Sequence, residues 1–243
     1  MVTAIDGRGT PESVWLAHLR DLGLPDLALD DVPSRVVVVA PHPDDEVLAV
    51  GGLLALLASA GAQVDVVAVT DGEASHPGGS LSPVELAAAR VVETDRALAL
   101  LGLAGRVTRL GLPDGGADEL EEPVTDALAL APGQWLLGPW VCDGHPDHEA
   151  VGRACARAAV RDGARLLAFP IWAWHWATPD EPSLPWDGAR QVCLPEAVRT
   201  AKAAALQAFV TQVSPLGPLP QDQPILPPHV LARFARPVEV VFT

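Results

Sequence analysis

Apolar residues recur along the chain in two patterns, short unbroken runs and longer stretches at helical spacing. The first run, Val36 to Ala40, lies between Pro33 and Pro41. Continuous apolarity suits a strand covered on both faces of a parallel sheet. Pro41 and Pro43 then end the ladder, since neither has a backbone N–H to donate. From Glu46 onward, Val47 to Ala58 reads as a buried helix. Further strands are predicted over residues 64–70, 106–110, 134–139 and 165–169, with helices over 82–101 and 149–161 between them. Ser82, Pro83 and Glu85 supply the capping box that starts the first of these helices. The alternation predicts an α/β fold: a Rossmann-like, doubly wound, mostly parallel sheet flanked by helices. Residues 11–22 carry Trp15, Leu16, Leu19 and Leu22 at helical spacing and predict an outer amphipathic helix. Beyond Pro179 the pattern loosens into a short strand at 191–194, a helix at 195–210, a proline-rich irregular stretch at 214–228 and a closing strand at 238–242.

No Ser/Gly linker or low-complexity run divides the 243 residues, so a single domain over 1–243 is expected. Its core spans about 34–180, with an outer N-terminal segment at 1–33 and a C-terminal extension at 180–243. Hydrophobic residues at 49% and charged residues at 19% support a packed core and exclude disorder. A net charge of −15 repels phosphate backbones and anionic lipid surfaces, which argues against nucleic acid as a partner. Cys142, Cys155 and Cys193 are odd in number and widely spaced, suggesting neither a disulfide framework nor a thiolate zinc site. No stretch reaches ~18 uninterrupted apolar residues and the start has no basic and apolar leader pattern, so no transmembrane segment and a cytoplasmic location are expected. The number of subunits, including a homo-oligomer, stays open.

The polar clusters all follow predicted strands. They are His42-Pro-Asp-Asp-Glu46, Asp71-Gly-Glu73, Asp114, His145-Pro-Asp-His148 and the Trp172-Ala-Trp174-His175 stretch. In open α/β sheets the strand C-terminal ends share one crevice, where ligands bind. A single Asp there would be an ordinary helix N-cap, but a cap explains neither His42 nor the second carboxylate. Imidazole and carboxylate are the nitrogen and oxygen ligands of zinc and similar divalent ions. Two such clusters in one crevice can provide three metal ligands with acids and imidazoles to spare, which is what metal-assisted hydrolysis requires. For Asp71-Gly72 an ordinary turn accounts for both residues.

Together Pro41-His-Pro-Asp-Asp-Glu46, Thr70-Asp-Gly-Glu73, Arg90 with Glu93, Leu112-Pro-Asp114 and His145-Pro-Asp-His148 resemble the LmbE-like de-N-acetylases, also called the PIG-L or GlcNAc-phosphatidylinositol deacetylase family. The resemblance covers about residues 35–180. It implies one Zn2+ per chain held by His42, Asp45 and His148, and hydrolysis of the acetamide of an N-acetylglucosamine-type small-molecule conjugate by metal-bound water. It gives Asp44 as general base and His145 as oxyanion stabiliser or acid, with Asp147 orienting His145 and raising its pKa. It also implies that Asp114 and Arg90 contact the sugar, although an intrahelical pair with Glu93 accounts for Arg90 equally well. A tyrosine that some members place just ahead of the HPDH motif is missing, Asp143 and Gly144 standing there in a chain without tyrosine. Trp172, Trp174 and His175 are expected at the substrate pocket, at least one of the two indoles offering its face to a sugar or aglycone and His175 near the rim, although a strand end packing into the core accounts for the tryptophans equally well. Two rival readings are a non-catalytic metal-containing sugar binder and a ferrous oxygenase with a two-histidine, one-carboxylate triad. The strand–helix alternation opposes the second, and the presence of Asp44, His145 and Asp147 opposes the first.

Overall fold

The computed structural model describes residues 7–103 and 105–243. The valine run forms β1 (Arg35–Ala40), followed by β2 (Gln63–Ala68), β3 (Val107–Arg109), β4 (Trp135–Pro139), β5 (Arg165–Phe169), β6 (Ala189–Cys193) and β7 (Val238–Phe242). These make one sheet in the order β3-β2-β1-β4-β5-β7-β6. The first five strands pair in parallel. β7 runs antiparallel to both β5 and β6, adding an antiparallel edge to the parallel core.

Helices cover both faces. They are α1 (Glu12–Leu22), α2 (Asp45–Ser59), α3 (Pro83–Leu100), α4 (Ala117–Ala127), α5 (Pro146–Asp162), α6 (Ala173–Trp176), α7 (Glu196–Leu206), α8 (Val210–Val213) and α9 (Pro228–Leu231). The period-2 geometry of a strand explains why β1 needs four valines in a row. Val36 and Val38 join the apolar layer that includes α1, α2 and α7, whereas Val37 and Val39 join the layer of α4 and α5. None of the described helices is long and apolar enough to cross a membrane.

The capping box forms as expected: Ser82 Oγ accepts from Glu85 N–H and the Glu85 carboxylate accepts from Ser82 N–H. Two helices differ from the sequence reading. Helix α4 lies outside the predicted elements, its composition being broken by Pro123 and four acids between 118 and 122, yet Leu120 and Val124 are fully buried in the layer it shares with α5. Helix α5 begins at Pro146 rather than Glu149, so Asp147 and His148 ride on its first turn, with His145 as N-cap. In α1 only Trp15 and Leu19 are buried, and Leu16 and Leu22 face solvent. The strand order reverses between β1 and β4, and the two metal-seeking clusters leave from the ends of those two strands, at the switch point of the sheet.

Candidate active site

At the end of β1, Pro41 and Pro43 restrict the backbone on either side of His42. Asp44, the N-cap of α2, is the one non-glycine among the described residues at positive φ, +125°. Such a conformation costs roughly 1–3 kcal/mol and persists only where surroundings impose it. Here α3 imposes it. Buried Arg90 donates to the carbonyls of Pro43 (2.5 Å) and Gly72 (3.0 Å) and to Asp44 Oδ2 (3.3 Å). Gly72 has φ +68°, and a Cβ there would collide with Arg90 Nη1, so the turn after β2 requires glycine twice over. The Arg90–Glu93 pair weighed from the sequence does not form. Glu93 instead accepts from the N–H (2.8 Å) and hydroxyl (2.7 Å) of Thr211.

Three donor atoms face one another across the switch point. His42 Nδ1 and His148 Nε2 are 3.2 Å apart, and Asp45 Oδ2 lies 3.4 Å from the first and 3.2 Å from the second. The far nitrogens are spoken for. His148 Nδ1–H donates to Asp143 Oδ2 at 2.8 Å, and His42 Nε2 meets Asp114 Oδ1 and Asp147 Oδ2, each at 3.1 Å. With the far nitrogens committed to carboxylates, the inward nitrogens both turn to the Asp45 oxygen, an arrangement that calls for a cation between them. Ligands 2.0–2.1 Å from a tetrahedral zinc stand about 3.3–3.4 Å apart, so this triangle fits one face of such a centre. Protonation points the same way. Burial opposes charge on His148, yet Asp45 and Asp143 raise it to about 9. Burial also opposes charge on His42, and Asp114, Asp147 and Asp45 hold it well above its ordinary value. Asp45, despite burial, is held low by both rings. The site draws positive charge, and one shared proton cannot satisfy three facing donors.

Around the triangle, burial raises the Asp44 carboxyl to about 7 against the opposing pull of Arg90. His145 differs from expectation. Its Nδ1 accepts the Asp147 backbone N–H (3.2 Å), while the Asp147 carboxylate binds His42 and the N–H of Gly115 (2.8 Å). Burial, reinforced by the charges of His148 and His42, lowers His145 to about 3, outweighing Asp147. The ring is thus neutral, with its proton on Nε2. Asp114 is tied to the loop after β2, its Oδ2 accepting from Ala74 N–H (2.8 Å) while its own N–H donates to Glu73 (3.0 Å).

These groups open onto a cavity of about 820 Å³ lined by His42, Asp44, Asp45, Arg90, Asp114 and His145 on one side. Trp172 and His175 line it from the end of β5. Trp174 does not, and this corrects the expectation for it. Its ring packs edge-on against Trp15 (5.0 Å between centroids) and beneath the Arg236 guanidinium (4.2 Å), inside the core. α6 explains the split, since a helical turn sends residues 172 and 174 to different sides where a strand would have aligned them.

Two contributors escaped the sequence reading. Fully buried Asp143 orients His148 and also accepts from the N–H groups of Ile171 (2.7 Å), Trp172 (3.0 Å) and Ala173 (3.1 Å), joining the β4 and β5 loops. Its only signal was an acid two residues ahead of His145. Ile225, Leu226, Pro227 and Val230 line the same cavity from the C-terminal segment, with His229 among them. Apolar residues interspersed in a proline-rich loop were the available clue.

Comparison with known proteins places this geometry. The family model described as GlcNAc-PI de-N-acetylase matches residues 37–159. The diacetylchitobiose deacetylase of Thermococcus kodakarensis is 34% identical over 128 residues, 49% of this chain and 46% of that protein. The probable N-acetyl-alpha-D-glucosaminyl L-malate deacetylase 2 of Bacillus subtilis is 31% identical over 57% of this chain and 68% of that protein. With the Thermococcus enzyme and the inositol-conjugate deacetylase of Nakamurella multipartita, the chain spans about half the length of the relative it matches. Among solved structures, the pseudoaglycone deacetylase Dbv21 superposes with a TM-score of 0.61 at 27% identity, over 86% of this chain and 96% of that one. From the matched span, which contains His42, Asp44, Asp45 and the HPDH motif on the elements just described, the chain belongs to the PIG-L, or GlcNAc-PI de-N-acetylase, family.

Proposed function

We propose that the protein is a zinc-dependent hydrolase that removes the acetyl group from an acetamido-sugar conjugate of the N-acetylglucosamine type. The observation that carries this reading is the triangle of His42 Nδ1, Asp45 Oδ2 and His148 Nε2, with edges of 3.2–3.4 Å, beside a free carboxylate on Asp44. His42, Asp45 and His148 would hold the ion, which when bound would supply Lewis-acid polarisation of a carbonyl and increased acidity of water. Asp44 takes the proton of the attacking water. Its carboxyl, near 7 by burial, is matched to proton transfer at neutral pH. Arg90 fixes the carboxylate in place through Asp44 Oδ2 and the Pro43 carbonyl. Neutral His145 donates its Nε2 proton as a hydrogen bond to the acetamide oxygen as negative charge develops there. When the C–N bond breaks, the proton held by Asp44 passes to the departing amine, leaving acetate and an amino sugar. Asp114 and Trp172 line the space for the sugar. Relatives named as deacetylases of chitobiose, inositol and malate conjugates support the reaction class.

The test is acetate release from a panel of N-acetylglucosamine glycosides by the zinc-loaded protein, with Asp44→Asn as control. Release by the unaltered protein and its loss in the control is the expected result. A protein that keeps its metal yet releases no acetate from any glycoside would be a binder instead.

A further inference from the structure

We infer that the conjugate this site accepts carries an uncharged, apolar aglycone, selected by a wall that the C-terminal segment contributes to the cavity; the inference rests on the deacetylase reading above. The cavity, about 820 Å³, lies high in the usual range for small-molecule sites and offers more room than one sugar ring takes. Its lining falls into a polar group around His42, Asp44 and His145 and a largely apolar group, Pro77, Ile225, Leu226, Pro227 and Val230, among which Gln212 and His229 also stand. The sugar's hydroxyls and acetamide belong with the first group. The aglycone, beyond the glycosidic oxygen, meets the second.

The wall is built in advance. Fully buried Asp222 accepts from the N–H (2.7 Å) and hydroxyl (2.7 Å) of Ser80 and from Leu219 N–H (3.0 Å), clasping the segment to the loop that carries Pro77. Leu226 N–H donates to Gln212 O (2.9 Å), and the Glu93–Thr211 bonds anchor the preceding turn to α3. A wall fixed before binding spares the ordering entropy that a loose loop would lose.

Charge argues against an anionic aglycone. Among the described lining residues Arg90 is the sole Lys or Arg, and its guanidinium is committed to Pro43, Gly72 and Asp44. Arg233 lines two small pouches of about 10 Å³ each, one of them beside Trp172 and His175 with room for a single water, and its Nη2 donates to the Arg8 and Thr10 carbonyls while Nε and Nη1 have no hydrogen-bond partner among the described residues. An anionic group beside residues 224–230 would meet no Lys or Arg, only the imidazoles of His175 and His229, in a chain of net charge −15.

The experiment compares the methyl, hexyl and 5-carboxypentyl β-glycosides of N-acetylglucosamine. It reads kcat/KM on the zinc-loaded protein and affinity, by calorimetry, on zinc-loaded Asp44→Asn. The hexyl glycoside is expected to exceed both others by about tenfold or more in each readout, as burial of several methylenes implies. Ile225→Asp, or the milder Ile225→Ser should the first fold poorly, is expected to shrink the hexyl-to-methyl ratio by about fivefold or more. Equal affinities for all three would overturn the inference. So would a preference for the carboxypentyl glycoside, which would point to an anion contact through Arg233. Absence of turnover with the hexyl preference in affinity intact would overturn the deacetylase reading and leave the apolar wall standing.

Discussion

Asp44 and Asp45 are adjacent carboxylates with divergent fates, and the difference lies in which partner each one faces. Asp45 meets two imidazoles and stays ionised, whereas Asp44 is buried beside a single guanidinium, and its carboxyl rises to about 7. Replacing Asp44 by Asn should lower kcat by about 100-fold or more while leaving one zinc per chain, because it removes the base and not a ligand. Acetate release and metal analysis on the same preparation check this, and near-normal turnover would assign the proton to another group. Asp143 has the opposite profile: it touches no substrate but holds His148 Nδ1. Asp143→Ala should weaken zinc affinity by about 10–100-fold, the usual worth of a carboxylate behind a metal-binding histidine. A chelator titration reads that directly. Metal affinity should also fall with pH. His148 titrates near 9 in the metal-free site, so at any lower pH zinc must displace its proton, at about tenfold in affinity per pH unit for each proton released. Affinity that is flat between pH 6 and 8 would contradict the raised pKa of His148.

Among elements, the turn after β2 shows how a loop that supplies none of the three facing donors sets the geometry beside them. Arg90 on α3 reaches Pro43 and Asp44 only because Gly72 leaves space for its Nη1. Gly72→Ala is expected to destabilise the fold by about 1–3 kcal/mol through the strained φ and to reduce kcat by displacing Arg90, with zinc retained. Denaturant melting together with metal content separates these effects. The strands and the edge they share were legible in the sequence because continuous valines and flanking prolines have few other structural uses. The two His/Asp clusters were legible because their residue types follow those strands, whereas the choice of His42, Asp45 and His148 within them came from the family resemblance. Asp143, the partner exchange between His145 and Asp147, and the inward turn of Trp174 were not. Each depends on which way a side chain points once α5 or α6 starts, and a shift of one or two residues in a helix start redirects every group on its first turn. The 224–230 wall was hidden for a related reason: its position is set by Asp222 and Ser80, 142 residues apart in the chain.

At the scale of the whole molecule, the sheet collects on one edge what the sequence scatters over more than 100 residues. β1 and β4 run parallel while the helices that follow them lie in opposite layers, and the donor set takes His42 and Asp45 from the first and His148 from the second. The antiparallel β6–β7 edge and the segment before β7 return the chain to the same edge, where residues 224–230 close the cavity. Because the donors meet only in the folded chain, zinc should stabilise the native state, raising Tm in a concentration-dependent way. His42→Ala and His148→Ala should abolish that rise. The most direct measurement is acetate release from an N-acetylglucosamine glycoside by chelator-stripped protein titrated with zinc. The predicted result is no release from the stripped protein and recovery that saturates at one equivalent per chain. Undiminished release without metal, or none at full zinc occupancy with any glycoside offered, would contradict it.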